Sequence, residues 1–216
     1  MNDGFARIIE LIAAEPSVLT VLEIGSSTGG GSTSALVRGL TGKTDQRLFC
    51  LELSVPRFNK LRSRYAHLPW VHCLNMTSVA VSDFPGPESI SEFYRRYPDS
   101  PLQNIPRKEV ERWLHQDIEY VTRFPTMQNG ISAAKELAEV PVFDLVLIDG
   151  SEFTGTPELE QLSGARYVLL DDTLTFKNHE NRVRLTADPN YRLIIEDKGC
   201  RNGYAAFRRA DAPPPW

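Results

Sequence analysis

The chain has little with which to staple or anchor itself. It carries three cysteines, Cys50, Cys73 and Cys200, an odd number at wide spacings, which excludes a disulfide framework. Cys50 and Cys73 fall inside apolar strand candidates, so the expectation is buried free thiols in a reducing compartment and a cytoplasmic location. No apolar run approaches the roughly 18 residues of a membrane span, and the N-terminus lacks the basic-then-apolar pattern of an export signal. No membrane partner is therefore expected. Positive charge is also scarce: 24 Lys and Arg against 28 Asp and Glu leave a formal net charge of −4. That balance argues against a nucleic-acid partner. Arg57, Lys60, Arg62 and Arg64 do cluster, but at the spacing of a solvated helix face. Of the four histidines, His67, His72 and His115 have no companion pattern and read as structural or surface groups. There is no internal repeat, no Tyr-x-x-x-Lys pair and no Gly-x-Gly-x-x-Gly run.

What is present suffices for one domain spanning residues 1–216 with a sizeable core, since 41% of the residues are hydrophobic. Phe5, Ile8, Ile9 and Ile12 recur at helical spacing and predict a helix over residues 3–14, stopped by Pro16. Strands are predicted over residues 20–24, 47–53, 70–74, 143–148 and 167–170, with helices between them over 33–40 and 56–65 and then 131–138 and 158–162. A further helix is expected over 178–185, and residues 191–196 and 204–208 read as an edge hairpin-like pair. Strand and helix alternate, as in an α/β doubly wound Rossmann-like sheet of about seven strands, mostly parallel. The alternation breaks at residues 82–130, which hold six prolines and two helical patterns, 90–97 and 107–122. A stretch this long without structure is improbable, so a helical insertion after the third strand is expected. It serves either as a lid over a substrate or as a homodimer contact. Its aromatic residues, Phe93, Tyr94, Tyr97, Trp113, Tyr120 and Phe124, read mostly as local core. The tail, ending Pro213-Pro214-Pro215-Trp216, is expected to be exposed.

The informative run is Val21-Leu22-Glu23-Ile24-Gly25, leading into Ser26-Ser27-Thr28-Gly29-Gly30-Gly31-Ser32-Thr33. A short apolar strand ends in an acid, then a glycine-rich turn opens a helix. In an open parallel sheet this is where ligands bind. A dinucleotide fold would place a pyrophosphate at a Gly-x-Gly-x-x-Gly turn. Here the glycine spacing differs, and Glu23 suits a cationic amine better than a pyrophosphate. The pattern favours a cofactor with an amino-acid tail over NAD. Glu52, near the end of the second strand, is suited to accept hydrogen bonds from both ribose hydroxyls. NAD and a methylsulfonium nucleoside share that ribose, so Glu52 alone does not choose between them. The bland alternative is a surface carboxylate.

The run Glu-Ile-Gly-x-x-x-Gly-Gly-x-Ser-Thr at residues 23–33 resembles the cofactor motif of class I S-adenosylmethionine-dependent methyltransferases. It is most similar to small-molecule O-methyltransferases of the catechol and macrocin types and their cephalosporin hydroxylase-like relatives. The resemblance covers residues 18–76 and 142–200 and is absent through the insertion. It implies S-adenosyl-L-methionine as cofactor, with Glu23 and Gly25 beside the methionine moiety. It implies a turn lined by Ser26, Ser27, Gly31, Ser32 and Thr33, Glu52 on the ribose, and Asn75, Met76 and Thr77 near the adenine. The implied acceptor is a hydroxylated small molecule or sugar.

Asp149 follows the most apolar strand, and Asp171-Asp172 follow the next one. Parallel strand ends share one sheet edge, so these carboxylates can converge. Like charges close together are costly unless protonated or bridged by a cation, and an all-oxygen set suits Mg²⁺. Catechol-like enzymes place metal carboxylates at these strand ends, so the resemblance implies Asp149, Asp171 and Asp172 as ligands, with Asp149 also beside the cofactor. The alternative for Asp172 is an N-cap of the following helix. The catechol enzymes carry a lysine three residues beyond the metal aspartate, where this chain has Glu152. The candidates for general base are Glu152, then His179, then Lys177. Two other readings remain open: a hydroxylase-like or non-catalytic nucleoside-binding protein of the same fold, and an NAD-dependent oxidoreductase.

Overall fold

The computed structural model describes residues 4–215. In chain order, helix α1 (Gly4–Ala14) leads to strand β1 (Thr20–Ile24), α2 (Ser32–Leu40), β2 (Arg47–Leu51), α3 (Val55–Tyr65) and β3 (Val71–Leu74). Helices α4 (Pro87–Arg96), α5 (Arg107–Thr122) and α6 (Gly130–Ala138) follow. Then come β4 (Leu145–Ile148), α7 (Gly155–Gln161), β5 (Tyr167–Asp171), α8 (His179–Ala187), β6 (Tyr191–Asp197) and β7 (Tyr204–Arg209). Residue 3, the expected start of the first helix, and Trp216 lie outside the described residues. No helix among the described residues is long and apolar enough to cross a membrane.

The strands form one seven-stranded sheet in the order β3-β2-β1-β4-β5-β7-β6. The five strands from β3 to β5 run parallel, and β7 runs antiparallel to both its neighbours. The expected terminal pair is therefore present, but its second strand inserts between β5 and β6. Every residue of β1, β4 and β5 is buried, as strands covered on both faces require. Alternation sorts their side chains. Val21, Leu48, Leu145 and Leu169 pack with Phe5, Ile9 and Ile12 of α1, Leu36 of α2 and Leu61 of α3. Leu22, Phe49, Val146 and Val168 pack on the opposite face with Ile131 of α6 and Leu185 of α8.

Two boundaries differ from expectation for identifiable reasons. Helix α7 begins at Gly155, three residues early, because Pro157 falls in its first turn, where no intrahelical donor is lost. Strand β4 begins at Leu145, since the Asp144 carboxylate accepts the Leu19 and Thr20 amides at 2.9 Å and so braces the sheet's N-terminal edge.

The insertion is helical and has its own core of Ile90, Phe93, Leu102, Val110 and Leu114. That core extends to Phe153 and Phe176 in the loops after β4 and β5. Ser100 Oγ donates to the Leu174 carbonyl at 2.7 Å, and Tyr97 Oη donates to Glu180 at 2.8 Å. Leu114 is fully buried. Leu114→Ala is expected to destabilise the insertion by about 2–5 kcal/mol, seen as faster limited proteolysis between residues 82 and 130. Unaltered cleavage there would remove Leu114 from the insertion's core.

Candidate active site

The glycine-rich turn is built around two forced positions. Gly25 has φ +85°, and a Cβ there would lie 2.0 Å from the Asp149 carbonyl oxygen. The exits of β1 and β4 touch at this point. Gly25→Ala is expected to cost at least about 1–3 kcal/mol of backbone strain, plus the displacement of Asp149, and a thermal melt measures it. Gly29 has φ +75° and seats against the Tyr65 ring, whose hydroxyl donates to the Gly29 carbonyl at 2.5 Å.

Glu23 differs in role from the expectation. Its side chain is wholly buried, with Oε1 accepting from Ser32 Oγ and Oε2 from Thr33 Oγ1, both at 2.6 Å. Burial pushes its carboxyl above the ordinary carboxylate range, against the pull of these hydroxyls. Glu23, Ser32 and Thr33 thus fasten β1 to the start of α2 and do not line the cavity beside them. Ser26 and Gly31 also lie outside the cavity wall.

That cavity, of about 390 Å³, opens at the C-terminal edge of the sheet. Gly25, Ser27, Glu52, Met76, Thr77 and Asp149 line it, among the residues the sequence singles out. The Glu52 carboxylate accepts the Ser27 amide on Oε2 and the Ser54 amide on Oε1, each at 2.8 Å. Both oxygens are thereby fixed in direction, and each keeps a lone pair for a ligand hydroxyl. Asn75 stays out of the wall and secures the end of β2, its Nδ2 donating to the Glu52 and Leu53 carbonyls at 2.7 and 2.9 Å. The cavity lies within the roughly 300–1,000 Å³ of small-molecule sites.

The opposite wall comes from the insertion. Asp117, Tyr120 and Val121 of α5 face the same space. Asp117 Oδ2 accepts from Ser151 Oγ at 2.6 Å. Burial raises its carboxyl above the usual range, and the Ser151 bond only partly opposes this. Sequence reasoning did not mark Asp117 as functional, yet a signal existed: it interrupts an apolar stripe of Val110, Leu114 and Val121. Tyr120 is exposed at the cavity wall, its ring tilted against that of Phe124, which departs from the local-core expectation. Glu158 was also missed. It is fully buried, and its Oε1 receives the hydroxyls of Ser78 at 2.5 Å and Thr154 at 2.7 Å, both of which line the cavity.

The acidic edge is organised around a cation supplied by the chain itself. Lys177 Nζ donates to Asp149 Oδ1 at 2.9 Å and to Asp172 Oδ2 at 2.6 Å. Asp171 pairs with Arg201 at 3.0 Å, and Asn202 Nδ2 donates to Asp172 Oδ1 at 3.1 Å. Asn178 Nδ2 ties the two strand exits together through the Ile148 and Asp171 carbonyls at 2.9 and 2.6 Å. The three aspartates therefore converge as expected, but they do not fit a divalent ion, because the ammonium stands between two of them. Among the described residues no group of three or more His, Cys, Asp or Glu side chains is arranged to hold a metal. Asp172 does not cap a helix either: its φ is +55°, and α8 starts only at His179.

The three expected bases are displaced from the cavity. Burial alone would lower the Lys177 pKa, but Asp149 and Asp172 reverse this and hold it well above its ordinary value. Lys177 is an ammonium that keeps its proton. Glu152 Oε1 accepts the Lys177 backbone amide at 3.3 Å, and its side chain lies outside the cavity wall. His179 packs among aromatic rings, 3.8 Å from Tyr97 and edge-on to Phe93 at 5.8 Å, and burial lowers its pKa.

No protein family and no curated protein matches this sequence. Solved structures do resemble the fold. A methyltransferase from Geobacter sulfurreducens superposes with a TM-score of 0.57 at 13% identity, covering 97% of this chain and 79% of that one. The O-methyltransferase from Bacillus cereus, in complex with SAH, gives 0.55 at 16% identity, over 97% and 82% of the two chains. The O-methyltransferase from Streptomyces achromogenes involved in tomaymycin synthesis, in complex with SAM, gives 0.56 at 14% identity, over 97% and 81%. At these identities the likeness is one of fold alone: with five parallel strands, an antiparallel β7 and helices on both faces, the chain has the Rossmann-like methyltransferase fold.

Proposed function

We propose that the protein is an S-adenosylmethionine-dependent O-methyltransferase acting on a hydroxylated small molecule or sugar. The observation that carries this reading is Glu52, whose two carboxylate oxygens are aimed by the Ser27 and Ser54 amides at the wall of the sheet-edge cavity. Two directed acceptors suit the vicinal hydroxyls of a ribose. Bound S-adenosylmethionine would supply an electrophilic methyl group. Met76 and Thr77 would flank its adenine, and the exit of β1 at Gly25 and Ser27 would carry its amino-acid end.

The chain's own part is to position an acceptor and take its proton. Of the carboxylates lining the cavity, Glu52 holds two backbone amides and Asp149 holds Lys177. Asp117 holds only the Ser151 hydroxyl among the partners described, and burial raises its pKa, which makes its carboxylate a stronger base than an ordinary one. Asp117 is the proposed base. It would accept the proton of the acceptor's hydroxyl. The insertion, which contributes Asp117 and Tyr120, would close that side of the reaction from water.

Titration calorimetry with S-adenosylmethionine, S-adenosylhomocysteine and NAD tests the reading. Binding of the first two with no measurable NAD binding is expected. Tighter binding of NAD would replace this reading with the oxidoreductase one.

A further inference from the structure

We propose that Lys177 is a built-in counter-cation that stands where this acidic edge would otherwise gather a divalent ion, so that the site works without metal. Three aspartates gather at the exits of β4 and β5. Two cationic side chains answer them: Lys177 bridges Asp149 and Asp172, and Arg201 pairs with Asp171. The Lys177 side chain is only 8% exposed. Mg²⁺ demands near-octahedral oxygen ligands at about 2.0–2.1 Å. Entering this edge, it would meet a fixed positive charge and would have to displace a buried ammonium from both of its hydrogen-bonded carboxylates. Removing one member of a buried ion pair is strongly unfavourable.

Because Asp149 lines the cavity and Lys177 does not, Lys177 acts through Asp149 and is a positioning residue. It holds the carboxylate in one place and neutralises it. A divalent ion would bind acceptor oxygens directly, whereas this arrangement leaves acceptor binding to the cavity wall. The exclusion of metal stands on geometry alone. Metal-independent turnover rests on the methyltransferase reading above, and the two fail in different experiments.

The test uses the full chain, freed of metal with EDTA, and the electron paramagnetic resonance signal of free Mn²⁺. Wild type should leave that signal undiminished at about 1 mM, a concentration at which even weak protein cation sites fill. Lys177→Ala and Lys177→Gln should take up about one Mn²⁺ per chain in that range, because the aspartates then face each other unbridged. Lys177→Arg should leave the signal undiminished, as wild type does, which a merely structural role for the side chain would not predict. Mn²⁺ uptake by wild type overturns the proposal. So do folded Ala and Gln variants that take up none, since the edge is then not a cation site at all. If both variants fail to fold, wild type and Lys177→Arg decide: an undiminished signal with both sustains the proposal, and uptake by either overturns it. EDTA should also leave the wild-type affinity for S-adenosylhomocysteine unchanged, and a tenfold loss would count against metal independence.

Discussion

Glu52→Ala is expected to weaken S-adenosylhomocysteine binding by about two to four orders of magnitude, the worth of two hydrogen bonds to a charged acceptor at roughly 1.5–3 kcal/mol each. The effect has two sources. The direct one is the loss of both acceptors for the ribose. The indirect one is release of the Ser27 and Ser54 amides, which now hold the glycine-rich turn and the start of α3 in place. Glu52→Gln separates them, because an amide oxygen can still accept one of these N–H groups while its NH₂ opposes the other. Intermediate affinity is expected for Gln. Calorimetry with S-adenosylhomocysteine reads all three proteins, and an alanine variant with wild-type affinity would end the ribose role.

Asp117→Asn is expected to lower turnover by about 10²–10⁴-fold, the usual worth of a positioned general base, while S-adenosylhomocysteine affinity stays within a few fold. An acceptor is first found by following S-adenosylhomocysteine release across catechols, phenols and sugars. In wild type the acid limb of the kcat/KM profile should lie above the ordinary carboxylate range, because burial raises the Asp117 pKa. Activity is lost as pH falls through that raised value. The same shift has a stability consequence of opposite convenience. A carboxyl with a raised folded pKa favours the fold below its unfolded pKa, and that contribution is lost as pH rises through the folded one. At neutral pH Asp117 is therefore a burden to the fold, and Asp117→Asn should melt at or above wild type. A variant that is slow and also less stable would point to a structural role instead.

The sheet was legible because its strands are short, apolar and separated by helical periods. Residues 20–24 and the helix at 107–122 keep their predicted bounds. The place of β7 was not legible, since periodicity is the same whether it lies at the edge or between β5 and β6. Glu52 was legible at the site because its position at a strand exit determines where its side chain goes. Glu23 was misread for a related reason. Alternation directs it beneath α2, where Ser32 and Thr33, nine and ten residues on, reach both its oxygens. The resemblance supplied an identity for the residue but not the direction of its side chain. Lys177 was placed third among the candidate bases because the path of the loop between Asp172 and α8 is not written in any period. Only that path brings its ammonium back onto Asp149, 28 positions earlier. Asp117 was visible as a charge within an apolar stripe, the kind of local inconsistency that marks a working residue.

The insertion is anchored in a way that limits what evolution or engineering can do with it. Phe153 and Phe176 belong to its core, yet they sit next to Glu152 and Lys177 in the loops that carry the acidic edge. Excising residues 82–130 would strip the cover from both rings and remove Asp117 with it. A shortened chain would inherit a sticky patch beside the sheet-edge cavity. Changes in what the cavity admits are therefore to be sought by substitution along α5, with the length of the insertion left alone.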